Sequence, residues 1–306
     1  LAIAPSIVKT DGTNLVNPLE YFRPSAQPIS NRPAKTNAGH APNLGCQSFG
    51  PHGDKLRPAV LDQRVRLHAF HFAQHRLNRL AHGSNRIALA TLRTAHRAGW
   101  QIGVHAIGDA AIDLAVESLA DVLRETPRAD HRHYLNHFTL LPDTETLAAM
   151  ARNGIAITQQ PNFTYTLEGR YMTYLEGATL ETNNPLRTPL NHGIHLALSS
   201  DILPIGPTVG LYAAVTRQGR SGRVFGPEER IAMIDALRGY TIRGAWLTRE
   251  EHLKGTLEAG KLADFIILNE NPLLVPEAEI LQLRVEETWL GGQQVYVAPA
   301  LEETDS

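Results

Sequence analysis

Cysteine is almost absent from this chain, with Cys46 alone among 306 residues. A single thiol closes no internal disulfide and builds no thiolate-rich zinc cluster, so a reducing, cytoplasmic setting is the default expectation. An excess of charge of one sign is also lacking. The 29 basic and 31 acidic residues leave a formal charge of -2, which provides no field to draw nucleic acid or anionic lipid. No apolar run approaches the ~18 residues of a membrane span, and the opening LAIAPSIVKTDG has no basic segment followed by a long apolar one. A G-x-x-x-x-G-K-[ST] phosphate loop and a G-x-S-x-G nucleophile elbow are missing too, which removes two large enzyme classes. These absences leave a soluble protein acting on a small molecule, alone or as a homo-oligomer.

The chain does have enough apolar residues, 42%, for a sizeable core. Residues 1–87 read as an irregular N-terminal segment rich in Pro, Arg, His and Asn, with loop expected over 23–60 and one possible strand near 6–12. From residue 88 the pattern becomes regular. ALATLRTAHRAG predicts a helix stopped at Gly99, and QIGVHAI predicts a buried strand. DAAIDLAVESLADVL then has helical spacing, HYLNHFTLL is strand-like, PDTETLAAMARNG is a helix and IAITQQ a strand. A loop is expected from Pro161 to about Pro185, followed by a short helix in PLRTPLNHG, a strand in IHLALSS, and helices at about 208–217 and 227–247. Strands and helices alternating at this spacing predict an α/β fold with a parallel sheet, of barrel type, over 88–250. Residues 251–306 change character. KLADFIIL and VEETWLGGQQVYV, with Gly-Gly between two strand-like runs, predict a hairpin on a small antiparallel unit.

Three chemically capable side chains fall at predicted strand ends: His105, His137 and Asp201. In a (β/α) barrel those ends share one face, where such folds carry their chemistry. Imidazole nitrogen and carboxylate oxygen suit a borderline divalent cation such as Zn²⁺, which lowers the pKa of a water it binds to roughly 7. Other histidines are weaker candidates. HFAQH at 71–75 has Phe72 where the H-E-x-x-H motif needs its glutamate. His131 and His133 form an H-x-H pair, but they precede the strand that such a pair would have to end. His192 and His195 flank Gly193, where a histidine ordinarily bonds the last carbonyls of a helix. Asp109 is expected to cap the helix that follows VHAIG.

The order VHAIGD (104–109), NHFTLL (136–141), QQPNFTY (159–165), LSSDILPIGP (198–207) and GTLEAGKLADFIIL (255–268), closing with TWLGGQQVY, resembles the amidohydrolase superfamily. Within it, the chain resembles the amidohydrolase-3 group of YtcJ-like and N-substituted formamide deformylase-like proteins. The resemblance implies a metal-dependent hydrolase of amide-type C–N bonds on a partial or distorted (β/α)₈ barrel, with a small β-sandwich portion at the C-terminus. It further implies one or two ions, zinc foremost with iron or manganese as alternatives, held by His105, His137 and Asp201. Asp201 would act as the general base and then the acid. Lys9, in SIVKTDGT, would be a bridging ligand if carboxylated. Gln160, Asn162 and Tyr165 follow a strand where a substrate pocket would form, whereas Pro161, Pro204 and Pro207 would only shape turns.

The departures are as informative. No apolar strand ending in a metal-binding H-x-H precedes Lys9, so the chain is expected to be the C-terminal portion of a longer enzyme. Two other readings therefore stand beside the first: a non-catalytic barrel remnant that needs a partner or its missing half, and a ring deaminase of the same superfamily.

Overall fold

The computed structural model describes residues 81–201 and 206–299. Lys9, the possible strand at 6–12, the expected loop at 23–60, Cys46, the HFAQH stretch and Pro204 lie outside the described residues.

Four short strands, β1 (Gly103–Ala106), β2 (Tyr134–His137), β3 (Ala156–Gln159) and β4 (Leu196–Leu198), pair in sequence order. All three pairings are parallel, with His105 abreast of Asn136, Asn136 of Thr158, and Thr158 of Ala197. Each crossover is helical. α1 (Ala81–Arg97) leads into β1, α2 (Asp109–Glu125) joins β1 to β2, and α3 (Thr144–Asn153) joins β2 to β3. Helix α2 buries Ile112, Ala115, Val116, Leu119, Val122 and Leu123, a stripe at three- and four-residue spacing that turns toward the sheet. Its neighbour α3 starts where the Asp143 carboxylate accepts the Thr146 N–H at 2.8 Å and stops at Gly154, whose φ of 63° suits glycine.

Alternation along the strands divides the sheet into two faces. Leu135, Ile157, Leu196 and Leu198 point to the helices and join Ile112, Leu119 and Met150 in the main core. Tyr134, Ala156 and Ala197 point the other way and pack with Leu247 and Trp246. Gly103 belongs to this second face, and only glycine fits there: a Cβ would stand 2.4 Å from the Tyr134 ring.

Between β3 and β4 the structure corrects the expected loop. The stretch 161–185 contains three short helices, α4 (Asn162–Thr166), α5 (Glu168–Tyr174) and α6 (Gly177–Glu181), before α7 (Arg187–Asn191). Five- and seven-residue helices are too short to show a hydrophobic period, and buried polar groups hold them instead. The fully buried Arg217 guanidinium donates to the carbonyls of Asn183, Asn184 and Phe225 at 2.6–2.8 Å. Buried Glu168 accepts the Ser221 N–H at 2.9 Å, and buried Glu229 accepts the Leu186 and Thr188 N–H groups at 2.8 and 3.0 Å.

After β4, α8 (Pro207–Thr216) has Pro207 in its first turn, where its missing N–H costs nothing. The expected helix at 227–247 is instead a 3₁₀ turn at Pro227–Glu229, then α9 (Met233–Tyr240) and α10 (Ile242–Leu247). The break between α9 and α10 falls at Thr241, whose φ and ψ of -122° and -97° are not helical. At the C-terminal end, β5 (Phe265–Leu268), β6 (Val285–Leu290) and β7 (Gln293–Val297) form an antiparallel sheet in that order. Gly291 and Gly292, with φ of 56° and 79°, make the tight turn that the sequence predicts. Ile280 and Leu283, just before β6, join the main core. Among the described residues no helix is long and apolar enough to cross a membrane.

Candidate active site

The C-terminal ends of the parallel strands bring His105 and His137 together. Their rings lie edge to face with centroids 4.3 Å apart. His105 is half-buried on the face that also carries Asn136 and Thr158. Continued alternation would send His137 toward the helices with Leu135. A left-handed φ of 76° at His137 and of 50° at Phe138 ends the alternation there, and the His137 ring meets His105 on one side and stacks near Phe163 on the other. Positive φ at two consecutive bulky residues costs energy that the surrounding packing must offset, and such outliers concentrate at functional sites. Phe138 is fully buried and its carbonyl accepts from Gln159 Nε2 at 2.9 Å, which helps to hold the turn.

Asp201 sits at the end of the segment that leaves β4 and is also left-handed, with φ 58°. It is exposed. Its charge acts on His137, favouring the protonated ring, as does the bond from Gln160. Burial outweighs both and holds the His137 pKa below the usual histidine value.

The residues expected to contact substrate divide into different roles. Gln160 is buried against His137: Oε1 is 2.8 Å from His137 Nδ1, and Nε2 donates to Ser199 Oγ at 2.8 Å and to Asn136 Oδ1 at 3.2 Å. Asn162, at the start of α4, is fully buried, with Nδ2 donating to the Ser200 carbonyl at 3.3 Å. Asn162 Oδ1 is buried with no hydrogen-bond partner among the described residues. Tyr165 is half-buried against the Tyr212 ring, with the Arg220 guanidinium 5.6 Å from its centre.

Asp109 serves the start of α2 from within the first turn. Gly108 holds the capping position, and Asp109 Oδ1 accepts the Ala110 N–H at 2.8 Å. His192 Nδ1 bonds the Thr188 carbonyl at the end of α7, as expected, at 2.9 Å. His195 bonds the carbonyl of Arg243, in another helix, at 2.9 Å and lies on Trp246. His131 and His133 are buried at the opposite, N-terminal ends of the strands, away from this mouth.

The sequence reading missed Asn136, Thr158 and Ser199. Asn136 Oδ1 accepts the Thr158 hydroxyl at 2.6 Å and the His137 N–H at 3.1 Å. A signal was present, since Asn136 and Thr158 are polar residues at abreast positions of strands that are otherwise apolar.

Imidazoles and a carboxylate are suitable donors for a borderline divalent cation. Among the described residues, however, no group of three His, Cys, Asp or Glu side chains is arranged to hold a metal ion. His105 and His137 are chemically suited to such an ion, but two imidazoles alone do not make a complete set of ligands.

Residues 55–296 match the model of the Amidohydrolase family. The chain belongs to that family. This amidohydrolase is 30% identical over 211 residues to YtcJ of Bacillus subtilis (strain 168), covering 67% of the chain and 39% of the relative. It is 29% identical over 203 residues to the N-substituted formamide deformylase of Arthrobacter pascens, covering 65% and 37%. An uncharacterized metal-dependent hydrolase from Pyrococcus horikoshii OT3 superposes with a TM-score of 0.53 at 25% identity, over 63% of this chain and 39% of that one. The amidohydrolase chain thus spans about two-fifths of the length of the relatives it matches. Its α/β architecture, with a parallel sheet and a small antiparallel one at the C-terminal end, is that of the family's barrel proteins.

Proposed function

We propose that this chain carries part of the active site of a metal-dependent hydrolase that cleaves an amide-type C–N bond in a small molecule. The observation that supports the reading is the meeting of the His105 and His137 rings at the strand ends, with His137 on backbone of positive φ and Asp201 close enough for its charge to act on His137. The likenesses to the N-substituted formamide deformylase and to a metal-dependent hydrolase support the same class.

His105 and His137 would hold a divalent cation, zinc foremost, with iron or manganese as alternatives. When bound, such an ion supplies Lewis acidity toward a water and a carbonyl oxygen. Asp201 does the proton work. Its exposed carboxylate takes a proton from the attacking water as that oxygen bonds to the carbonyl carbon. It then returns the proton to the nitrogen as the C–N bond breaks, so one side chain serves as base and then as acid. Burial of His137 favours its neutral form, which is the form able to donate a lone pair.

Asp201→Asn is the direct test. With the family's metals supplied and a panel of N-formyl and N-acyl amines as substrates, turnover falls roughly 10²–10⁴-fold while metal content stays near the parent level. Equal turnover in the variant rejects Asp201 as the base. Release of ammonia from a ring, in place of an amine and a carboxylate, points to a deaminase. A parent chain that retains no metal after repletion favours the non-catalytic remnant.

A further inference from the structure

The hydrogen bonds around His137 fix which of its nitrogens carries the proton. The backbone N–H of His137 can only donate, and it points at the Asn136 side chain at 3.1 Å, so the Asn136 atom there is the carbonyl oxygen, Oδ1. That oxygen also lies 3.2 Å from one end of the Gln160 amide, which must then be the donating Nε2. Two further acceptors agree: Ser199 Oγ lies 2.8 Å and the Thr158 carbonyl 3.5 Å from the same nitrogen. The other end of the amide, Oε1, can only accept, and it faces His137 Nδ1 at 2.8 Å. Nδ1 therefore carries the proton, and Nε2 carries the lone pair.

Supporting bonds hold Gln160 in place. Its own N–H donates to Gln159 Oε1 at 2.7 Å, and Gln159 Nε2 donates to the Phe138 carbonyl at 2.9 Å. Both glutamines are buried, so water is poorly placed to substitute for either amide. The bonds thus form a closed circuit from the backbone of His137, through Asn136 and Gln160, back to its own ring.

We propose that Gln160, set by Asn136, is a positioning residue that locks His137 in the Nδ1-protonated tautomer and so presents Nε2 for metal ligation. The ligation half rests on the proposed metal-dependent function, whereas the tautomer half stands on the hydrogen bonds alone. Partners of this kind fix ring orientation, and their loss typically costs ten- to a hundredfold in metal affinity.

Two measurements on the full chain test the proposal. Nitrogen-15 imidazole spectra of the metal-free protein, with His137 assigned by its absence in His137→Ala, are expected to show a single Nδ1-protonated ring in the parent. In Gln160→Leu the ring is expected to shift toward the Nε2-protonated form. Zinc affinity, measured by competition with a chelator, is expected to fall ten- to a hundredfold in Gln160→Leu. A parent ring protonated at Nε2 overturns the proposal, and that reading needs no variant of Gln160 to fold. Unchanged affinity in Gln160→Leu, alongside a loss in His137→Ala, overturns the positioning role while leaving the metal reading intact. Full affinity in His137→Ala overturns the metal reading and the ligation half together, and the spectra still decide the tautomer.

Discussion

Histidines gather at both ends of the parallel sheet, and they are used differently at each. At the N-terminal ends, the Ile102 N–H donates to His133 Nδ1 at 3.0 Å, so His133 Nε2 holds a proton and donates to His96 Nδ1 at 2.9 Å. His96 Nε2 then donates to the Thr126 carbonyl at 2.7 Å. Beside this chain, the His133 N–H donates to His131 Nδ1 at 2.9 Å, and His131 Nε2 donates to the Asn153 carbonyl at 2.8 Å. Each of these rings spends both nitrogens on the protein's own groups. At the opposite mouth, the circuit through Gln160 engages His137 by Nδ1 and leaves the lone pair on Nε2. The residue type is the same, yet the rings at the N-terminal ends are saturated by the protein's own bonds, whereas His137 is engaged through Nδ1. Residue identity does not separate them; the count of committed nitrogens does.

Exchanging alanine for histidine at each end breaks the comparison most sharply. His137→Ala is expected to cost ten-fold or more in zinc affinity and most of the turnover, because the proposed ligand is lost. His133→Ala is expected to leave zinc affinity unchanged but to lower unfolding stability by about 3 kcal/mol, since it strands the Ile102 N–H and one nitrogen of His96 in the core. Urea melts and chelator competition on the same two proteins check both halves. A His133→Ala protein with weakened zinc binding and an unchanged melt contradicts the division.

Acid should act most strongly through His133. Burial is the first cause that lowers the His133 pKa, to about 2, with the positive charge of Arg128 and Arg249 and the neighbouring His131 and His96 in the same direction. His96 and His131 are lowered as well, again chiefly by burial. An unfolded chain takes up a proton at each of these sites near pH 6.5 that the folded chain refuses, so stability is full above that value and is lost as the pH falls below it. For His133 the loss is about 1.4 kcal/mol per pH unit. Urea midpoints measured between pH 7.5 and 5 are expected to fall steeply in the parent and less steeply in His133→Ala. Identical slopes in the two proteins remove His133 from the account.

Gly103→Ala, at the first residue of β1, probes the face of the sheet that carries Tyr134. A Cβ there meets the Tyr134 ring at 2.4–2.8 Å. The ring is buried, so the strand or the ring must shift, at a cost of about 1–3 kcal/mol. Because Gly103 lies two residues before His105, thermal melts should fall with zinc affinity altered far less than in His137→Ala. A zinc loss as large as that of His137→Ala links the Tyr134 face to the mouth.

The sequence carried the strands and long helices because their apolar periods are local. It placed His105, His137 and Asp201 at strand ends for the same reason. It did not carry the helices of 161–185, which depend on Arg217, Glu168 and Glu229 bonding groups 33 to 53 positions away along the chain. Gln160 was expected at the substrate, because a polar residue after a strand looks the same whether it faces a ligand or a histidine. Only the register that sets Asn136 beside Thr158, with Gln160 just beyond, reveals the circuit.

Asp109 and Asp201 give the smallest and most discriminating contrast, since both are exposed acids just past a strand at the same mouth. Asp109 lies in the first turn of α2, where a carboxylate favours the helix dipole and its Oδ1 accepts the Ala110 N–H. Asp201 has a left-handed backbone, and its charge acts on His137. Asp109→Ala should therefore lower stability by less than about 1 kcal/mol and leave turnover within a few-fold of the parent, whereas Asp201→Asn loses turnover without a matching loss of stability. If Asp109→Ala instead loses turnover as deeply as Asp201→Asn while its melt is unchanged, Asp109 belongs to the chemistry and its place in the first turn of α2 is incidental.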